Sequence, residues 1–542
     1  MSGLTTDLPE SADSPDPASS PHPTASHPTT PSPTGQPEPA SSAQTAEPAP
    51  PVVIVLAAGG GTRMKSRRSK LLHEVAGHSL LSYAMSAATE IGPEEVVVVV
   101  GHQRDQVQAH LAEIAPHVRT AVQEEQLGTG HAVQCGLAAL ADLAQLPPEI
   151  VVTYGDVPML TSETLLDLLG EHRAQQAAVT VLTATAPDPT GYGRIVRDPD
   201  GHVARIVEHR DADDETRAIA EINSGIYVFS STVLAAGLGQ LDTANDQGEL
   251  YLTDVLAYAR SVGGAVAAHQ IADYWQTEGV NDRVQLSTMN AEMNRRILLQ
   301  WMKDGVTILD PATTWVHASV DLAPDVTLLP GTSLEGATSV GAGATIGPEV
   351  TLKDVEVGEG ATVVRTHAEL SVIGPGADVG PYARLRPGTR LGAKGKIGTF
   401  VETKNARIAD GAKVPHQTYV GDAEIGGGAN IGAGVIFANY DGVNKSSTVV
   451  GDYSFVGSNS VLVAPVVVGD GAYVAAGSTI TGDVSPGELG VARGQQRNIR
   501  GWVLRKRAGT KTAAAAQEAL DSAAGTSEET PAAREAKESD GR

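Results

Sequence analysis

Aliphatic side chains recur at every sixth position through the C-terminal half of the chain. Leu322, Leu328, Leu334, Val340, Ile346 and Leu352 keep this interval, as do Ile373, Val379, Leu385, Leu391 and Ile397, and then Val450, Val456, Leu462, Val468, Val474 and Ile480. Glycine follows many of them, as in Val340-Gly341, Ile346-Gly347, Val379-Gly380, Val456-Gly457 and Val468-Gly469, and small residues return a few positions later. A six-residue period with one inward aliphatic is the signature of a parallel β-helix, in which three hexads close a triangular coil and coils stack about 4.8 Å apart. Isolated Gly-rich turns would not hold one register over so many consecutive repeats. The spacing predicts a left-handed parallel β-helix over residues 305–505.

The texture of the N-terminal half is different. Short β-branched runs, Val52-Val53-Ile54-Val55-Leu56, Val96 to Val100, Ile150-Val151-Val152, Val179 to Leu182 and Ile226-Tyr227-Val228-Phe229, alternate with helical segments. Continuous apolar strands separated by amphipathic helices predict a mainly parallel sheet covered on both faces, an α/β, Rossmann-like nucleotide-binding layout over 51–282. Ligands of such sheets sit beyond the carboxyl ends of the strands. Between the two patterns, Met289, Met293, Ile297 and Trp301 fall at helical spacing, so 283–304 reads as an arm whose stripe is for packing.

Composition narrows the classes. A chain of 542 residues suits two domains, each able to bury a core. Its formal charge of -25 opposes nonspecific binding to nucleic acid or anionic membrane. Cys135 is the one cysteine, so neither an intrachain disulfide nor an all-cysteine metal cage is available, and a cytoplasmic setting is expected. No stretch approaches the ~20 apolar residues of a spanning helix. Residues 1–50 are rich in Pro, Ser and Thr and lack a secretory pattern; they read as a disordered tail, as do the Ala- and Glu-rich residues 506–542, with helix-forming tendency around Thr512 to Ala523.

Several loops carry candidate chemistry. After the first strand, Leu56-Ala57-Ala58-Gly59-Gly60-Gly61-Thr62-Arg63 is followed by Lys65, Arg67, Arg68 and Lys70. Glycines admit phosphate oxygens to backbone N–H groups and the cations neutralise them, but the segment fits neither the Walker nor the Rossmann spacing, so by itself it suits a phosphate site or an ordinary tight turn equally. Tyr154-Gly155-Asp156 puts a carboxylate at a strand end, where a Mg²⁺ ligand and a helix cap both occur. On the β-helix, His416 stands within two coils of Lys404, Tyr419, Asn430, Asn439 and Tyr440. A lone turn histidine is usually idle, yet solenoid stacking brings such turns together, and neutral imidazole suits a general base.

The motifs Leu56-Ala57-Ala58-Gly59-x-Gly61-Thr62-Arg63-Met64, Lys70-x-Leu72-His73, Gln126-Leu127-Gly128-Thr129-Gly130-His131-Ala132, Tyr154-Gly155-Asp156-Val157-Pro158, Gly191-Tyr192-Gly193-Arg194-Ile195, Ile206-Val207-Glu208-His209, Ile222-Asn223-Ser224-Gly225 and Gly279-Val280-Asn281 resemble one known family. It is that of the bifunctional N-acetylglucosamine-1-phosphate uridylyltransferases and glucosamine-1-phosphate acetyltransferases, and the similarity runs from about Val52 to Trp502. The resemblance implies that the N-terminal site joins UTP to N-acetylglucosamine 1-phosphate, giving UDP-N-acetylglucosamine for cell-wall synthesis and releasing pyrophosphate. It implies Mg²⁺ on Asp156 and Asn281, with Arg63 and Lys70 on phosphate. Leu56, Ala57, Ala58, Gly59, Gln123, Gly128 and Thr129 would hold the nucleotide, Tyr154 and Gly155 would line the site, and Gly193, Glu208 and Asn223 would hold the sugar.

On the β-helix, the resemblance makes His416 the base for acetylation by acetyl-coenzyme A. Arg386 and Lys404 would take the sugar phosphate, and Tyr419, Asn430 and Lys445 the sugar. Ala433, Asn439, Tyr440, Ser458, Ala476 and Arg493 would line the coenzyme. A homotrimer with sites between subunits is implied, with no nucleic-acid or membrane partner. Ser69, Gly60, Asp282 and Pro415 depart from residues common in the family. Two rival readings compete: a sugar-nucleotide pyrophosphorylase whose β-helix is only a scaffold, and a noncatalytic regulatory subunit. His416, Lys404, Asn439 and Tyr440 argue against the first, since a scaffold needs none of them; Arg63, Lys70, Asp156 and Asn281 argue against the second.

Overall fold

The computed structural model describes residues 48–245 and 247–527. The expected N-terminal tail, apart from its last three residues, and residues 528–542 lie outside the described residues. Val52–Ala57 occupies the middle of a nine-stranded sheet. On one side it pairs in parallel with Glu95–Val100 and, beyond that, Arg119–Val122; on the other it pairs in parallel with Glu149–Tyr154. Both faces are covered. Val52, Ile54 and Leu56 enter one apolar core and Val53, Val55 and Ala57 another, which is why the strand reads as an unbroken apolar run.

Two strands depart from the parallel expectation, Glu221–Ser230 and, off the main path of the sheet, Val203–Val207. Glu221–Ser230 runs antiparallel to both Glu149–Tyr154 and Val179–Thr185. The connection from Val179–Thr185 contains the antiparallel pair Gly193–Arg197 and Val203–Val207 and a single helical turn, Asp214–Arg217, rather than a crossover helix long enough to return the chain to the starting edge.

Asp282 caps the arm helix Arg283–Lys303, its carboxylate accepting the N–H groups of Val284 and Gln285 at 2.9 Å each. Met289 is buried against Val75, Leu80, Met159 and Val280, with Met293 and Ile297 beside it, whereas Leu298, Ile297 and Trp301 pack on the β-helix core. One apolar stripe therefore serves both halves. Two asparagines reinforce it: Asn290 takes the Ala76 N–H and donates to the Glu74 carbonyl, and Asn294 takes the Val316 N–H and donates to the Thr314 carbonyl.

From Thr307 onward, short parallel strands stack coil upon coil. All the six-interval aliphatics are buried, from Leu322 to Ile480, in one continuous core. The coils repeat at 16 to 18 residues along most of the solenoid, for example Thr345↔Thr362↔Asp378↔Lys396. Between Asn430 and its partner Phe455 the chain takes a longer path. The extra residues leave the coil after Ile436–Ala438 and return at Thr448–Val450, forming a turn closed by a Tyr440↔Lys445 bridge. Within the C-terminal stretch expected to be disordered, Lys511–Ser527 forms a helix, consistent with the propensity of its alanines.

Candidate active sites

The strand ends of the sheet open into a cleft of about 310 Å³ lined by Leu56, Ala57, Ala58, Gly59, Lys70, Gln123, Gly128, Thr129, Tyr154, Asp156 and Asn281, together with Gln126 and Glu249. The glycine loop turns sharply because Gly61 adopts φ +56, and a Cβ there would stand 2.9 Å from the Lys70 Cβ. That close approach seats Lys70. Its ammonium donates to Asp156 Oδ2 and, at 3.2 Å, to Asn281 Oδ1, and the Lys70 and Asp156 side chains are only 11% and 15% exposed. Three residues separated by 86 and 211 positions thus meet at one point.

A cation already lies between a carboxylate oxygen and an amide oxygen. The donor set is hard oxygen, which fits Mg²⁺ with phosphates and water completing its shell. Asp156, unlike a helix cap, makes its contact across the cleft.

Gln123 is buried and donates to the Gly128 carbonyl at 3.1 Å, fixing the loop that starts the helix Thr129–Ala138. Gln126, absent from the sequence-based site, donates to the Ala58 carbonyl at 2.7 Å and ties that loop to the glycine turn. It stood inside the Gln126 to Ala132 motif, which was the available signal. Arg63 remains exposed on the loop and is not part of the cleft wall.

Gly193, Glu208 and Asn223 come together beside Tyr154. A Cβ on Gly193 would lie 3.3 Å from Glu208 Oε1 and 3.4 Å from the Asn223 Cβ, and Gly225 leaves the space filled by the Tyr154 ring. Asn223 Oδ1 accepts from the Gly225 N–H and the Tyr227 hydroxyl, both at 2.9 Å, which leaves its amide N–H groups to donate. Burial, with Asp211 and Asp254 adding to it, raises the Glu208 carboxyl above the ordinary range.

The departures from the resembled family have local partners. The Ser69 N–H, which a proline would lack, donates to Gln106 Oε1 at 3.0 Å. Asp282 is the helix cap described above.

On the β-helix, His416 ends the strand Lys413–His416 and is exposed. Its carbonyl accepts from Thr418 Oγ1 at 2.7 Å and from the Gly434 N–H at 3.2 Å, and no described residue hydrogen-bonds its imidazole. Asn430 lies on the same face of the prism, one coil on, and the left-handed corner at Gln417 turns the chain towards Tyr419. Around that corner are Lys404, Lys445 and Arg386. Lys445 first, and Arg386 further off, press the Lys404 ammonium below its usual pKa, and Arg386 is held by Glu402 at 2.9 Å.

Ala433, Ser458 and Ala476 follow strands on successive coils, so they form a column along the helix axis, and Arg493 donates to the Ala476 carbonyl at 2.9 Å. Tyr440 and Lys445 lie on the exposed turn between Ile436–Ala438 and Thr448–Val450.

A nucleotidyl transferase family profile matches residues 52–282, and a bacterial transferase hexapeptide profile matches 447–482. A Bifunctional protein GlmU from Kineococcus radiotolerans is 55% identical over 487 residues, covering 90% of this chain and 99% of the relative. Those from Corynebacterium efficiens and Pseudarthrobacter chlorophenolicus are each 54% identical, over 87% and 88% of this chain and 97% of each relative. With both profiles in place and the similarity spanning nearly the whole described chain, this protein belongs to the bifunctional GlmU family.

Proposed function

We propose that the chain acetylates glucosamine 1-phosphate at the β-helix site and then transfers UMP from UTP to the product at the N-terminal site, yielding UDP-N-acetylglucosamine and pyrophosphate. Convergence of Lys70, Asp156 and Asn281 at the strand ends supports this reading most directly. In uridylyl transfer a sugar-phosphate oxygen attacks the α-phosphorus in line and pyrophosphate departs, so alignment and charge neutralisation dominate and no protein nucleophile is needed. Lys70 neutralises phosphate charge. Asp156 and Asn281 would hold Mg²⁺, which would supply further neutralisation when bound. Gln123 and the backbone from Leu56 to Gly59 read uracil, while Glu208 and Asn223 offer acceptor and donor to sugar hydroxyls and acetamide.

In acetyl transfer the sugar amine attacks the thioester carbonyl, the C–S bond breaks, and the thiol leaves as coenzyme A. His416 takes the proton from the ammonium so that the nitrogen lone pair is free. Arg386 and Lys404 bind the phosphate, with Tyr419, Asn430 and Lys445 around the sugar, and the Ala433, Ser458, Ala476 column with Asn439, Tyr440 and Arg493 accommodates the elongated coenzyme.

The openness of this site in one chain favours a homotrimer, with neighbouring subunits closing it: His416, Tyr440, Lys445, Ser458, Ala476 and Arg493 are all exposed. Exposed Tyr382 and Phe400, stacked at 5.5 Å on the adjoining corner, supply apolar surface for such contacts. No described helix is long and apolar enough to cross a membrane, and the proposed use of UTP and acetyl-coenzyme A supports a cytoplasmic enzyme.

The reading is tested by incubating purified protein with glucosamine 1-phosphate, acetyl-coenzyme A, UTP and Mg²⁺. UDP-N-acetylglucosamine, free coenzyme A and pyrophosphate are expected; formation of UDP-sugar without coenzyme A release would favour the scaffold alternative.

A further inference from the structure

A carboxylate without a role in the reactions above sits at the β-helix corner between Lys404 and Lys445. Asp422 adopts left-handed backbone, φ 50, and both its oxygens are taken by amides: Asn405 Nδ2 donates to Oδ1 at 2.9 Å and Asn439 Nδ2 donates to Oδ2 at 2.5 Å. Gly421, just before it, has no side chain, and the Tyr419 hydroxyl and the Asn439 amide occupy the space a Cβ would need. Lys404 pairs with Gly421 across the coils, so Lys404, Tyr419, Asp422 and Asn439 share one small region.

The chemistry of the amide fixes its polarity. An asparagine whose Nδ2 donates to a carboxylate is held in one orientation, with its second N–H and its oxygen, the one acceptor of the amide, left for other partners. Asn439 is also buried, so it cannot turn into solvent without breaking that bond. A glucosamine amine is rich in N–H donors and needs such an acceptor to aim its lone pair at the thioester.

Asp422 also bears on the lysines. It is the carboxylate that opposes the mutual repulsion of Lys404 and Lys445, to which Arg386 adds, while Glu402 is committed to Arg386. Although burial pulls the other way, the two amides and both lysines hold the Asp422 carboxyl below the usual range, so it remains ionised.

We infer that Asp422 is a positioning residue for acetyl transfer: it fixes Asn439 with its oxygen facing the sugar amine and keeps Lys404 and Lys445 together as cations for the sugar phosphate. This rests on the acetyl-transfer reading of the site. The plain alternative is that Asn405, Asp422 and Asn439 are corner rungs that merely tie coils together. In that case removing Asn405 harms the protein as much as removing the Asp422 charge.

Asp422→Asn, Asn405→Ala and His416→Ala are compared in the full chain by coenzyme A release, with uridylyl transfer as the control for folding. Asp422→Asn should lower kcat roughly ten- to a hundredfold, as expected for a lost hydrogen bond to a charged group. A negative neighbour raises an ammonium pKa, so without it the alkaline rise in KM for glucosamine 1-phosphate should begin at lower pH than in the wild type. Asn405→Ala, which leaves the charge and the Asn439 bond, should stay near wild type in both respects.

Wild-type kcat and pH profile in Asp422→Asn, equal damage from Asn405→Ala, or parallel loss of uridylyl transfer would each overturn the inference. Retained coenzyme A release in His416→Ala would instead overturn the reading of the site on which it rests.

Discussion

Replacing Lys70 by methionine keeps the length of the side chain and removes its charge at the point where Asp156 and Asn281 meet. Two losses follow. The Asp156 carboxylate, 15% exposed, is left without its cation, which costs about 1–3 kcal/mol of stability because the pair lines a cleft that water can enter rather than a dry core. Separately, a preorganised donor to the reacting phosphates disappears; such donors are typically worth about 3–4 kcal/mol in the transition state, or roughly a hundred- to a thousandfold in rate. Coupled pyrophosphate release measures the second loss and thermal unfolding of the N-terminal half the first. Added Mg²⁺ should restore much of the stability of Lys70→Met, because it can supply the missing positive charge to Asp156, while leaving the rate defect in place. Coenzyme A release should be unchanged. A kcat/KM for uridylyl transfer close to wild type would refute the placement of Lys70 on phosphate, and stability indifferent to Mg²⁺ would refute the shared cation site.

Glu208, raised by burial, should protonate at higher pH than an ordinary carboxylate, so KM for N-acetylglucosamine 1-phosphate should rise on mild acidification, and Glu208→Gln should remove that dependence; an unchanged pH profile in the variant would exclude Glu208 as the titrating acceptor. Leu385→Ala, at a fully buried β-helix position next to Arg386, should destabilise that half by about 2–5 kcal/mol and impair acetyl transfer before uridylyl transfer, measured by parallel melts and assays. Asn294→Ala should strand the Thr314 carbonyl and Val316 N–H and increase protease cleavage around the arm helix with both activities retained; unaltered digestion would show that the apolar stripe alone holds the halves. Sedimentation of the purified protein should give three times the chain mass, and a monomer with full acetyltransferase activity would contradict the shared site.

The solenoid was legible because its period is local. Every coil repeats the same inward aliphatic, and all the positions from Leu322 to Ile480 that keep the interval are buried. The parallel core was legible for a related reason, since strands covered on both faces are apolar throughout. The antiparallel Glu221–Ser230 was not: strand direction depends on the connection, and the residues of that strand are equally apolar either way.

Site residues carried by motifs, such as Lys70, Asp156 and Asn281, converge in space, but nothing in a run of residues says that Lys70 bridges the other two. Gln126 lay inside a quoted motif and Asp422 three residues past Tyr419, yet neither gave a signal of its own, because their contacts are with Ala58 and Asn439, brought near only by a loop and a coil stack. Ser69 shows the reverse, a departure from the family pattern visible in the sequence whose backbone N–H donates to Gln106.

The claim that two independent chemistries share this polypeptide is tested most directly by assaying both half-reactions in His416→Ala and Asp156→Ala. His416→Ala should lose coenzyme A release while keeping pyrophosphate release, and Asp156→Ala should do the opposite. Loss of both activities in either variant, or unchanged Mg²⁺-dependent turnover in Asp156→Ala, would contradict that claim.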